Sequence, residues 1–151
     1  MENNKWHWQP FDKVGKYQLD TPIKTCSGSG ALFDRNEEDT YAIYTMEKTY
    51  DYEKDDYCRT NSKLFVSDTD GLIKGIELTT SFIYQDYDFI GQPTEDVIYF
   101  LLNKFEHLQQ PIHKMANVYY MYLTPVFEIR LVEVDSKVKS VTVASWARCS
   151  Q

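Results

Sequence analysis

The chain reads as an α+β protein: a predominantly antiparallel β-sheet, strongly bent, with one main α-helix at about 94–109 packed on it. Three observations predict this. Period-two alternation places Ile76, Leu78, Thr80 and Phe82 on one side of a strand and Glu77, Thr79, Ser81 and Ile83 on the other. Gly91-Gln92-Pro93 halts that strand, because proline fixes φ and donates no ladder bond; Val97, Ile98, Leu101, Leu102 and Phe105 then recur at helical spacing as one apolar stripe. Beyond the helix, three runs rich in β-branched and aromatic residues (Val118–Leu123, Phe127–Val134 and Lys137–Ser145) are separated by Thr124-Pro125 and Asp135-Ser136, the pattern of a three-stranded antiparallel meander.

From the N-terminus, residues 1–12 are irregular, but Trp6, Trp8 and Phe11 are too apolar to leave together in water, so the segment is expected to lie across the body of the fold. His7, with no ligand partner nearby, reads as a packed or surface histidine. Val14–Leu19 is expected as a short strand, and Asp20-Thr21-Pro22 as a turn or helix start. The run Thr25 to Gly30 reads as a flexible loop; it lacks the lysine and spacing of a phosphate-binding loop. Ala31–Phe33 is expected as a short strand, the acidic Asp34–Thr40 as a solvated turn, Tyr41–Lys48 as a strand and Thr49–Lys54 as another, ending in a turn. Ser62–Ser67 forms the next strand. Asp68-Thr69-Asp70-Gly71 leads into the central strand as a hairpin turn and lacks the remaining ligands of a calcium loop. Thr94 is placed to cap the helix, with Glu95 and Asp96 in a first turn that favours negative charge. Gln109-Gln110-Pro111 ends it. The uneven alternation in Lys137–Ser145 predicts a strand covered in part on both faces. A short echo, Val14-Gly15 with Asp20-Thr21-Pro22 against Ile90-Gly91 with Pro93-Thr94, admits two half-units.

At 151 residues the expectation is a single domain, residues 1–151. Net charge is −7, and residues 34–96 hold all the excess acid: −6 over 34–58 and −4 over 59–96, against +1 before and +2 after. Such a surface disfavours direct contact with nucleic acid or anionic lipid and attracts a basic protein. Cys26, Cys58 and Cys149 form no metal-binding or paired-thiol spacing, no charged-then-apolar leader opens the chain, and no apolar run approaches the roughly 18 residues a bilayer needs. These point to a reduced, cytoplasmic protein with free thiols, no cofactor, no metal and no membrane association.

No nucleophile–base constellation is legible, and the three histidines (His7, His107, His113) belong to no local signature, so the chain is expected not to be an enzyme. The candidate surface is acidic and tyrosine-rich: Asp51, Tyr52, Glu53, Asp55, Asp56 and Tyr57, with Asp86, Tyr87 and Asp88 just before the helix. Carboxylates among tyrosines suit a Lys/Arg patch on a partner. The plainer reading, that the acids keep an aromatic-rich domain soluble, needs no clustering. The succession DGLIKGIEL, an aromatic strand, FIGQPTEDVIYFLL and a terminal meander ending KVKSVTVAS, over about residues 62–145, resembles the small bacterial immunity proteins of contact-dependent growth inhibition and related polymorphic toxin systems. The resemblance implies a cytoplasmic protein that binds and neutralises one cognate toxin domain, commonly a nuclease; the acidic surface suits a basic one. The alternatives are an acidic inhibitor that mimics nucleic acid, or a small-molecule-binding or enzymatic domain with its pocket between helix and sheet.

Overall fold

The computed structural model describes residues 6–15, 17–22, 32–38, 41–46, 48–51, 56–59, 63–67, 71–105, 108, 113–124 and 127–145. Its elements are β1 (Trp8–Gln9), β2 (Lys13–Val14), β3 (Tyr17–Gln18), β4 (Leu32–Glu38), β5 (Tyr41–Met46), β6 (Lys48–Asp51), β7 (Asp56–Arg59), β8 (Lys63–Ser67), β9 (Ile73–Leu78), β10 (Ile83–Tyr84) and β11 (Tyr87–Asp88). These are followed by the helix α1 (Thr94–Lys104), β12 (His113–Met115), β13 (Val118–Thr124), β14 (Phe127–Val134) and β15 (Lys137–Ala144). Eight strands form one antiparallel sheet in the order β12-β13-β14-β15-β9-β8-β5-β4, and β1-β2-β3, β6-β7 and β10-β11 form three small sheets. The fold is therefore α+β, mostly antiparallel sheet with one short helix.

The meander forms where turn chemistry predicts it. Asp135 and Ser136 both have positive φ (55° and 66°), the twist that a two-residue hairpin turn requires. β15 is buried along most of its length, in keeping with a strand covered on both faces. β8 and β9 make the expected hairpin, closed by the Ser67 amide bonding to the Leu72 carbonyl at 3.0 Å. The core lies on one face of the large sheet, where Leu64, Ile76, Leu78, Met121, Ile129, Leu131, Val141 and Val143 meet a layer made by Trp8, Val14, Tyr17, Phe82, Phe89, Val97 and Leu101. Trp8 anchors that layer, its ring 5.2 Å from both Phe82 and Tyr84 and 5.7 Å from Phe105. Phe11 stays 42% exposed yet edges onto Phe105 and Phe127.

Several expectations are corrected. Helix α1 ends at Lys104 and not near 109, because Phe105 takes an extended conformation (φ −120°, ψ 97°) and sends its ring onto Trp8, Phe11 and Tyr84. Pro93, and not Thr94, is the N-cap; Thr94 makes no side-chain cap, and its amide bonds the Ser136 carbonyl at 2.9 Å. The central strand stops at Leu78, with Thr79 and Thr80 bending away, and Ile83–Asp88 is a separate two-stranded hairpin. Val14–Leu19 is broken at Gly15 (φ 59°) into two strands of a small meander. Asp34–Glu38, expected as a turn, continues β4. The loop expected at 25–30 lies outside the described residues.

The register reveals a pseudo-twofold arrangement about the β9–β15 seam. There Leu78 pairs with Val141 and Ile76 with Val143, with Glu77 opposite Thr142 at the centre. If Ile76 corresponds to Val141 and Leu78 to Val143, the flanking strands correspond too: Leu64 pairs with Ile76 as Leu131 pairs with Val141, and both hairpins have a register shift at matching places, Phe65/Val66 and Val132/Glu133. The correspondence extends to the lead-in segments. The Asp20 amide bonds the Ile73 carbonyl and the Ile73 amide the Thr21 carbonyl, as the Gly91 amide bonds the Val138 carbonyl and the Val138 amide the Gln92 carbonyl. Pro22 bridges Leu72 as Pro93 bridges Lys137, and Asp20 and Gly91 both have positive φ (63° and 88°).

Candidate functional site

Three places hold the chemistry that the core does not use. The first is the β6–β7 ribbon. It prolongs the β5–β8 hairpin as its own sheet, with Tyr50 opposite Tyr57 and Asp51 opposite Asp56. Asp51 thus ends one strand and Asp56 and Tyr57 begin the next; Tyr52, Glu53 and Asp55 lie outside the described residues. Two acids at opposed positions weaken a ribbon, since like charges across strands repel. This ribbon is also where the two halves differ. Seventeen residues separate Thr45 from Lys63, and only nine separate the corresponding Tyr120 from Arg130.

The second place joins β10–β11 to α1. Asp86, at the hairpin tip, is exposed with φ 67°. Asp88 is committed inward: its Oδ1 accepts from the amides of Phe82 and Ile90, each at 3.0 Å, and its Oδ2 from the Ser81 hydroxyl at 3.0 Å. Tyr87 is half-buried, its ring 4.5 Å from Phe100. The Tyr87, Asp96, Tyr99, Phe100, Asn103 and Lys104 side chains line an open groove of about 460 Å³. Burial, and secondarily the Asp96 carboxylate, raise the Tyr87 phenol above its ordinary pKa, so it remains protonated at neutral pH. This groove is on the outer flank of α1. On the inner side Val97 and Leu101 are fully buried in the core cluster.

The third place is the face of the large sheet opposite the core. One register row crosses all eight strands: Asp34, Thr45, Lys63, Glu77, Thr142, Arg130, Tyr120 and His113. Burial raises the Glu77 carboxyl above the usual carboxylate range, against the opposing pull of Lys63, a Ser140 hydrogen bond and Arg130. Arg130 Nε lies 3.2 Å from Glu128 Oε2, an ion pair whose angles fall short of a hydrogen bond, and its guanidinium sits 5.0 Å from the centre of the Tyr120 ring.

Of the sequence-read surface, the structure places Asp86–Asp88 beside the helix and Asp51, Asp56 and Tyr57 on the ribbon, in two separate small sheets. Sequence reading missed Asp96, Tyr99, Phe100, Asn103 and Lys104. Their signal was available: Asp96, Tyr99 and Asn103 fall at i, i+3 and i+7, off the apolar stripe. Among the described residues, no group of three or more His, Cys, Asp or Glu is arranged to hold a metal ion, and no helix is long and apolar enough to cross a membrane.

No model of a known protein family matches the chain, and no curated protein matches it. Among solved structures the chain is similar to a cysteine-rich secretory protein from Staphylococcus aureus, at 17% identity and a TM-score of 0.47. That match covers 94% of this chain and 49% of the other, so the chain spans about half the length of that protein.

Proposed function

We propose that this chain is a non-catalytic binding protein that captures a basic protein partner through its acidic, tyrosine-rich ribbon and the hairpin tip at Asp86–Asp88, as an immunity protein neutralising a cognate bacterial toxin domain. The observation that carries the reading is the asymmetry of the two halves. The acidic ribbon is the insertion that one half has and the other lacks, and it retains opposed acids that cost the ribbon stability. An element kept at such a cost, outside the shared framework, is where binding chemistry is expected. The partner class, a nuclease-like toxin domain met in the cytoplasm, comes from the sequence resemblance, and its basic character from the acidity of residues 34–96. No cofactor enters the reading.

A strongly bent sheet belongs to the same proposal. Four register shifts, at Leu32/Asp34, Phe65/Val66, Tyr122/Thr124 and Val132/Glu133, each add local twist. The test is stopped-flow association with a basic toxin domain recovered on this chain by pull-down from its native host. Asp55→Lys with Asp56→Lys is expected to slow association about ten- to a hundredfold at low salt, with the difference shrinking as salt rises. An unchanged rate and affinity would remove the ribbon as the interface.

A further inference from the structure

We infer that the groove on the outer flank of α1 receives one lysine or arginine side chain of the basic partner. The inference rests on the binding-protein reading above and names the chemistry of one part of that surface. The floor is aromatic: Phe100 lies 4.5 Å from Tyr87, and Phe89 and Tyr84 buttress it from 5.8 and 6.1 Å. Tyr99 stands 69% exposed on the rim, with Asp96 one turn before it on the helix and Asn103 one turn after. An aromatic face attracts cations through its quadrupole, and a neighbouring carboxylate adds a full opposite charge. Asp96 has no ion-pair partner among the described residues.

A second observation shows what the floor accepts. Lys104 lays its own ammonium 5.4 Å from the centre of the Phe100 ring, so a cation already rests on this surface. That tethered cation is both precedent and competitor. A guest ammonium or guanidinium held by Tyr99, Tyr87 and Asp96 gains when Lys104 withdraws. At about 460 Å³ the groove is roomier than one such head group, leaving space for the methylene stem along Phe100.

The experiment is an amide NMR titration of the full chain with Nα-acetyl-lysinamide. Saturable shifts are expected at Tyr87, Asp96, Tyr99, Phe100 and Asn103, with a weak dissociation constant, on the order of 10–100 mM, as a cation–π contact and one solvent-screened carboxylate together supply. The uncharged Nε-acetylated probe should produce none at the same concentrations. Tyr99→Ala and Asp96→Asn, both at exposed positions, should each weaken binding about three- to tenfold. Lys104→Ala should tighten it, an effect that loss of a merely structural lysine would not give. Shifts spread over the acidic segments and insensitive to Tyr99→Ala and Lys104→Ala would overturn the inference. So would choline binding the groove while lysinamide does not, since that marks a small-ammonium site. The Asp55→Lys, Asp56→Lys chain should titrate like wild type. Failure of the titration while those ribbon variants still slow the toxin overturns the groove alone; a normal titration in a chain that captures no toxin removes the toxin reading and the partner named here.

Discussion

Asp86 and Asp88 flank one tyrosine and behave oppositely. Asp86 projects from a hairpin tip, whereas Asp88 gathers two amides and a hydroxyl and so ties the end of the bend after β9 to the approach to α1. Removing a carboxylate that holds three bonds should cost about 2–4 kcal/mol in Asp88→Ala, and clearly less in Asp88→Asn, whose amide oxygen still accepts from both backbone donors. Urea unfolding of the two variants checks this; equal losses would mean that the charge, not the acceptor geometry, matters. In sequence both residues read as surface acids, because composition does not show where backbone amides converge. Lys74 and Asp20 carry the same lesson. Their 2.7 Å ion pair is nearly buried at the lysine, and nothing in the spacing of residues 54 positions apart announces it.

At the scale of elements, legibility followed the turns. The last three strands are readable because Thr124-Pro125 and Asp135-Ser136 mark their ends, whereas Asp34–Glu38 reads as a solvated turn because it is acidic. β4 is an edge strand, and charge on an edge protects it from pairing with other chains, so polarity there is a property of the strand and not a sign against it. The helix begins at Thr94 as its spacing predicts, but the apolar stripe runs past its end, since an aromatic residue on the stripe, Phe105, leaves the helix to meet Trp8. Deleting Lys48–Arg59 and closing the β5–β8 hairpin with a short turn should leave the melting temperature within about 4 °C of wild type, since the ribbon pairs as its own sheet outside the eight-stranded one. The same variant should lose the toxin. A chain that unfolds on excision would make the ribbon part of the framework and not an attachment to it.

For the whole molecule the organising fact is the seam between two similar halves. Its sequence trace was faint because the correspondence is one of backbone bonds, with Asp20 standing where Gly91 stands and Glu77 where Thr142 does. Glu77, at the centre, sets a pH dependence. Its pKa is raised by burial, so the folded state holds the proton more tightly than the unfolded chain. Its contribution is most favourable below the unfolded value and is lost as pH rises through the folded one. Glu77→Gln should therefore raise the melting temperature at pH 7, with the gain disappearing toward pH 4; a variant less stable at pH 7 would show that attraction to Lys63 and Arg130 outweighs burial. The same residue governs which edges join. Two copies meeting β9 to β9 in the same register would form a self-complementary interface with Glu77 against Glu77, a repelling pair in a partly dry setting. The β15 strand instead offers it a threonine, so the small difference between the halves favours pairing of β9 with β15 over pairing of β9 with a second β9.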